Sequence, residues 1–154
     1  MKAVLQRVKS ASVIADGVFS GSCEKGLFIL LGVAQGDTEE DVLLLAEKIG
    51  KLRIFCDQNG KMNLSCLDID GEALIVSNFT LNANYAKGNR PDYFASAAPQ
   101  EANRLYELFV EEMRKRLRHV GTGVFGADME ISTVCDGPVT ICMDSEQLKR
   151  GTKK

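Results

Sequence analysis

Tryptophan is missing from the 154 residues, histidine occurs once (His119), proline three times, and aromatic residues make up 6%. A structural zinc needs histidines and cysteines at short spacing, and one histidine without paired cysteines supplies no such set, so no metal is expected. The five cysteines (Cys23, Cys56, Cys66, Cys135, Cys142) are odd in number and form no C-x-x-C pair. They read as buried, reduced thiols of a cytoplasmic protein. No run of 18 apolar residues occurs, so no membrane span is expected. The opening Met1-Lys2-Ala3-Val4-Leu5-Gln6-Arg7 turns polar too early for a secretory signal. Neither sign of charge dominates: 19 Lys and Arg stand against 21 Asp and Glu, a formal net charge of −2. That argues against a surface that coats nucleic acid wholesale, but leaves room for a small basic patch. Phosphate-binding, dinucleotide, metalloprotease and nucleophile-elbow motifs are all absent.

What remains is an ordinary globular composition, 45% hydrophobic and 26% charged. A chain of this size buries roughly 70% of its unfolded surface, enough for one core without staples. Residues 2–14 read as a strand, Asp16-Gly17 as a hairpin turn, and 18–23 as the returning strand. Leu27 to Val33 is apolar at nearly every step and should be covered on both faces. Asp37 is placed to cap a helix, with Glu40 three residues on. Val42, Leu45, Ala46, Ile49 and Leu52 give its buried stripe. Leu52 to Phe55 reads as a short strand, and 62–70 as irregular. Ala73 to Phe79 is a second two-sided strand whose end turns polar. Residues 82–98 form a long loop, and 99–118 a second helix striped by Ala102, Leu105, Tyr106, Phe109, Met113 and Leu117. Two further strands, 129–134 and 139–143, flank a tight turn at Asp136-Gly137-Pro138. The tail from 146 to 154 is polar and expected to fray. Strands interrupted by two main helices indicate a single domain over 1–145 of the α/β class, in the mixed α+β sense.

Candidate chemistry is sparse. Asp57-x-Asn59-Gly60 lacks the acidic end of a calcium loop and reads as a turn. His119 is a candidate general base, a role that suits histidine as a residue type, but it follows a helix end, a common structural place for histidine. Arg114, Lys115, Arg116 and Arg118 suit either phosphates or a solvated face paired with Glu111 and Glu112. Two polar interruptions stand out. Ser77-Asn78-Phe79-Thr80-Leu81 ends an apolar strand, where polar groups emerge at the lip of a crevice or simply cluster. Cys135-Asp136-Gly137-Pro138-Val139-Thr140 lies between two strands. On bare statistics its X–Pro bond is trans, since only about 5–6% of such bonds are cis.

Together these segments resemble the D-aminoacyl-tRNA deacylase family, whose signatures read S-Q-F-T-L and N-x-G-P-V-T. Gln6-Arg7-Val8, Lys61-Met62-Asn63-Leu64, Gly88-Asn89-Arg90-Pro91 and Phe125-Gly126-Ala127-Asp128-Met129 extend the likeness over residues 1–144. Two departures stand inside it. Asn78 replaces the motif's Gln and is one methylene shorter. Cys135 replaces its Asn and loses an amide.

The resemblance implies a largely antiparallel sheet or barrel and hydrolysis of the ester of D-aminoacyl-tRNA, and of glycine mischarged on tRNA. It implies no cofactor. It implies a homodimer with the active site at the subunit interface, where a Gly-cisPro pair reaches into the partner's pocket. On it, Gly137-Pro138 is a backbone filter that bars L-aminoacyl groups, and Arg7 braces it with its planar fork. Ser77, Asn78, Phe79 and Thr80 form the catalytic segment. Thr80 acts there as nucleophile or as orienting group beside an attacking water. Phe125 walls the adenine site, and Lys87 and Arg90 meet tRNA phosphates. Three readings compete: a relative with relaxed chirality, a non-catalytic nucleic-acid-binding protein, and a structural dimer.

Overall fold

A computed structural model describes residues 1–151. β1 (Lys2–Ala15) turns at Asp16 and Gly17, both with left-handed φ (47° and 80°), into β2 (Val18–Cys23). That is the mirror-image turn whose twist suits a hairpin. β1 is the spine of the sheet. Along one edge it pairs antiparallel first with β3 (Gly26–Gly32) and then with β2; along the other it pairs antiparallel with β8 (Met129–Asp144) from end to end. Beyond β3 the pairing turns parallel, to β6 (Glu72–Ser77) and β7 (His119–Thr122). β4 (Phe55–Cys56) and β5 (Met62–Leu64) form a separate small hairpin.

The sheet bends until β7 meets β2. Gly21 and Gly121 make this closure possible: a Cβ on Gly21 would stand 2.5 Å from the Thr122 carbonyl oxygen, and one on Gly121 2.3 Å from that of Ser22. The Ser20 hydroxyl donates to the Thr122 carbonyl across the seam at 2.9 Å. The result is the mixed α+β, barrel-like domain expected, though its far side is parallel.

Two cores follow from the alternation of strand side chains. Leu27, Ile29 and Leu31 of β3 face the helices, whereas Phe28 joins Val8, Val13, Leu74 and Val76 inside the barrel. α1 (Glu39–Gly50) and α2 (Pro99–Arg114) cover the outer face through the expected stripes.

Several expectations shift. The N-cap of α1 is Thr38, and Asp41 is the carboxylate that closes the box by accepting the Thr38 N–H at 2.8 Å. Asp37 instead accepts from the Ala34 N–H and from the terminal ammonium of Met1, both at 2.6 Å. α2 stops at Arg114, because the chain must turn to deliver β7 to the sheet. The tight turn at 136–138 does not reverse the chain: residues on both sides of it pair with β1 in one continuous β8. The tail is not frayed over 145–151. These residues form α3 (Ser145–Gly151), held through buried Ser145, whose hydroxyl donates to Asp41 at 2.6 Å, and Lys149, whose ammonium sits 2.7 Å from the same carboxylate. A polar helix anchored by charge rather than by an apolar stripe leaves no periodic signal in sequence. The last three residues of the expected tail lie outside the described residues.

Candidate active site

β6 carries Ala73 to Val76 fully buried, and then its side chains emerge. Ser77 and Asn78 are half-buried, Phe79 and Thr80 exposed. The strand ends in a 3-10 turn, Phe79–Asn82, capped by Asn78. The Asn78 N–H donates to the Leu31 carbonyl at 2.8 Å, which ties the turn to the end of β3. Its side-chain oxygen accepts from the Thr80 N–H at 3.2 Å and from the Thr80 hydroxyl. The Asn78 side chain is thus spent within the turn; its shorter reach suits a local cap. Gly32 packs against the turn, and a Cβ there would stand 2.9 Å from Leu81 Cβ.

The head of the turn borders a cavity of about 600 Å³. Ser77, Asn78 and Phe79 line it on one side, Ser96 and Ala97 on another, and Tyr106, Phe125 and Met129 on a third. Most of the wall is aliphatic or aromatic. The Ser96 hydroxyl donates to the Phe79 carbonyl at 3.0 Å, and the Phe79 ring meets Tyr93 edge to face, centroids 5.0 Å apart. Tyr106 donates its hydroxyl to the Ile75 carbonyl at 2.9 Å. Burial pushes its pKa up to about 12, so it remains a neutral donor. Asn82 is buried below the turn; its Nδ2 donates to the Val33 carbonyl, while its Oδ1 has no partner among the described residues.

The expected catalytic, adenine-binding and filter residues therefore fall in two places. Ser77, Asn78, Phe79 and Phe125 share the cavity, with Thr80 next to its rim. Arg7, Gly137 and Pro138 do not line it. They meet where β8 bulges from β1: Gln6 pairs with Thr140 and Val8 with Cys135, so residues 136–139 stand opposite Arg7 alone. The Gly137–Pro138 bond is cis, and Gly137 takes φ 148°, a region that favours glycine. Arg7, only 8% exposed, donates from Nε to the Asp136 carbonyl at 2.9 Å and from Nη1 to the Ile54 carbonyl at 2.6 Å. Its Nε also lies 3.3 Å from the Asp136 carboxylate. The fork holds two carbonyls, though only one belongs to the Gly-Pro loop. Cys135 offers the loop nothing comparable; its sulfur lies 3.8 Å from the Thr133 hydroxyl.

Lys87 and Arg90 sit exposed in the loop closed by the Asn84–Asp92 bridge. His119 stands at the start of β7 with Nε2 3.0 Å from the Ser22 carbonyl, at the barrel seam and not at the cavity. Of the basic run, Lys115 and Arg116 pair with Glu112, and Arg118 with Asp70 and Glu72. The thiols were expected to be buried. Only Cys23 and Cys66 are, and burial pushes both up to about 12. Cys56, Cys135 and Cys142 are exposed. Among the described residues no three His, Cys, Asp or Glu side chains converge on one point. No helix among them is long and apolar enough to cross a membrane.

Sequence reasoning missed Ser96, Tyr93 and the hydroxyl of Tyr106. The first two lie in a loop without periodicity, and Tyr106 sits on an apolar stripe where a core role sufficed.

Comparison with known proteins gives the family. The family model for D-Tyr-tRNA(Tyr) deacylase matches residues 4–144. A D-aminoacyl-tRNA deacylase of Sulfurihydrogenibium sp. (strain YO3AOP1) is 55% identical over 148 residues, covering 96% of this chain and all of that one. The deacylase of Thermosipho africanus (strain TCF52B) is 54% identical over 148 residues, covering 96% of this chain and 99% of its own. Among solved structures, a c-Myc DNA unwinding element binding protein superposes with a TM-score of 0.88 at 39% identity, covering 94% of this chain and 98% of its own. A probable eukaryotic D-amino acid tRNA deacylase does so at 0.78 and 16% identity, covering 92% and 97%, a likeness of fold alone. The chain belongs to the D-Tyr-tRNA(Tyr) deacylase family and is, with it, a hydrolase.

Proposed function

We propose that the cavity at the end of β6 takes the aminoacyl-adenosine end of a tRNA and hydrolyses the ester of a D-amino acid, or of glycine. The observation that carries this reading is the segment Ser77-Asn78-Phe79, where β6 runs into the 3-10 turn and brings polar groups to the wall of a mostly apolar cavity. An activated ester needs little more than a positioned water and a donor for the developing oxyanion. Asn78 already occupies the Thr80 N–H. The Phe79 N–H, at the head of the turn, is then the donor for that charge. Thr80 gives its hydroxyl proton to an amide oxygen, which is no general base. A nucleophilic threonine needs such a base. Thr80 is thus an orienting group, and water attacks with help from the ribose 2′-hydroxyl. Phe125 stacks on adenine, and Lys87 and Arg90 meet acceptor-stem phosphates.

The Gly137-Pro138 loop is a chiral filter supplied by a second copy of the chain. Two features support this. The loop stands away from the cavity of its own subunit. β8 also leaves a mostly open face in an isolated chain, with Val134 55% exposed and Cys135 and Cys142 uncovered. Rigid carbonyls placed where an L side chain would project exclude it by clash, which discriminates more strongly than the 1–3 kcal/mol or so available from fitting a methylene. Glycine has no side chain to clash. Three exposed unpaired thiols suit a reducing compartment such as the cytoplasm, where the activity serves translation quality control. The experiment is hydrolysis of D-tyrosyl-, L-tyrosyl- and glycyl-tRNA side by side, with the molecular mass in solution measured in parallel. Hydrolysis of the D and glycyl esters by a dimer is expected. Equal hydrolysis of the L ester, or full stereoselectivity in a monomer, refutes the filter.

A further inference from the structure

The cavity does not end at Phe125. On the far side of the Tyr106 and Phe125 rings lies a second hollow of about 320 Å³, and both rings line both spaces. Its chemistry is different. α2 presents Asn103, Glu107, Glu111 and Arg114 to it, a spacing that puts all four on one helix face. The neighbouring cations have been neutralised by acidic side chains, Lys115 and Arg116 by Glu112 and Arg118 by Asp70 and Glu72. The side chains of Arg114 and Glu111 form no ion pair and no hydrogen bond among the described residues. Glu107 is oriented by Asn103, whose amide donates to it at 3.1 Å. A free guanidinium, two carboxylates and an amide thus face a hollow with room for one pyrimidine nucleotide, separated from the aminoacyl-adenosine cavity by two aromatic rings.

We propose that this hollow is a subsite for the cytidine that precedes the terminal adenosine of tRNA. The inference rests on the reading of the main cavity given above. Cytosine presents its exocyclic amine as a donor, and carboxylates are the acceptors suited to it. Uracil turns a carbonyl to the same position and is repelled. Arg114 holds the phosphate on the 5′ side of the cytidine, and the rings of Tyr106 and Phe125 divide one base from the next. The enzyme thereby engages the end common to all tRNAs, and turnover depends on more than the ester and its adenosine.

The test uses D-tyrosyl esters of pA, pCpA and pUpA with the full chain. Wild type should hydrolyse the pCpA ester with a kcat/KM roughly tenfold or more above that of the pA ester, the size of one good base or phosphate contact. It should favour pCpA over pUpA by a similar factor. Arg114→Ala should bring the pCpA-to-pA ratio toward one. Glu111→Gln and Glu107→Gln should narrow the preference for cytidine over uridine. Equal wild-type efficiency on pA and pCpA, or ratios unchanged in all three variants, overturns the subsite alone. Absence of turnover on every ester overturns the deacylase reading, and the subsite with it.

Discussion

Replacing Arg7 by lysine tests the filter without touching the cavity. The guanidinium makes two carbonyl contacts, to Asp136 at 2.9 Å and to Ile54 at 2.6 Å, and lies 3.3 Å from the Asp136 carboxylate. A lysine ammonium is a point charge on a flexible stem and cannot span both carbonyls with fixed geometry. One charge-assisted hydrogen bond is lost, about 1.5–3 kcal/mol. At about 1.4 kcal/mol per factor of ten, the held conformation of residues 136–139 loses roughly tenfold to a hundredfold in population relative to alternatives. Discrimination between D and L esters should fall by a similar factor, chiefly because the L ester is now hydrolysed. The assay is single-turnover deacylation of D- and L-tyrosyl-tRNA with enzyme in excess. Urea unfolding of the same protein gives the loss of stability. Arg53→Lys is the control, since Arg53 holds the Asn63 carbonyl on the exposed small hairpin. A D/L ratio within threefold of wild type, despite a measured loss of stability, would refute the brace.

Thr80→Ala should lower kcat by less than about tenfold, because loss of a nucleophile costs orders of magnitude and loss of an orienting hydroxyl does not; trapping a threonyl ester would reverse the assignment. The double variant Lys87→Ala, Arg90→Ala should raise KM for D-tyrosyl-tRNA and flatten its salt dependence by a slope of about 1–2, as two phosphate contacts predict, while leaving the pA ester unaffected. Gly121→Ala forces a Cβ to within 2.3 Å of a backbone oxygen at the barrel seam and should destabilise by about 1–3 kcal/mol or more in urea. Acid should loosen α3. Burial opposes ionisation of Asp41, but the Lys149 ammonium, the Ser145 hydroxyl, the Thr38 N–H and the terminal ammonium outweigh it and hold its pKa down at about 2. A carboxylate with a lowered folded pKa stabilises above its unfolded value, and that stability disappears as pH falls toward 2. Asp41→Asn should therefore remove pH dependence from the exchange of α3 amides between about pH 4 and 2; unchanged dependence in the variant would refute the link.

Periodicity carried most of the fold. The two-sided strands β3 and β6 and the stripes of α1 and α2 were legible because burial on one or both faces leaves a repeat in the sequence. Where stabilisation is polar, no repeat exists. The cap of α1 fell one residue later than expected, since Asp37 is taken up by the Met1 ammonium and the Ala34 N–H, which leaves Thr38 to cap with Asp41 closing the box. α3, held by Ser145 and Lys149 on Asp41, leaves no repeat for the same reason. The motif Ser77 to Thr80 was found by its place at a strand end, but its partners Ser96 and Tyr93 lie in a loop whose path depends on the whole domain.

By itself the sequence determined the domain class, the strand that delivers the polar turn, and the two motifs that carry the family likeness. These are local matters of side-chain pattern and turn chemistry, readable within a dozen residues. Tertiary structure alone decided that Asp136-Gly137-Pro138 is a bulge gripped by Arg7 rather than a reversal, that Phe125 divides an apolar cavity from a polar one, and that Lys115, Arg116 and Arg118 are paired with carboxylates while Arg114 forms no ion pair among the described residues. Each depends on residues far apart in the chain meeting through the closed sheet. Such contacts follow from strand register and packing, which no short stretch of sequence specifies.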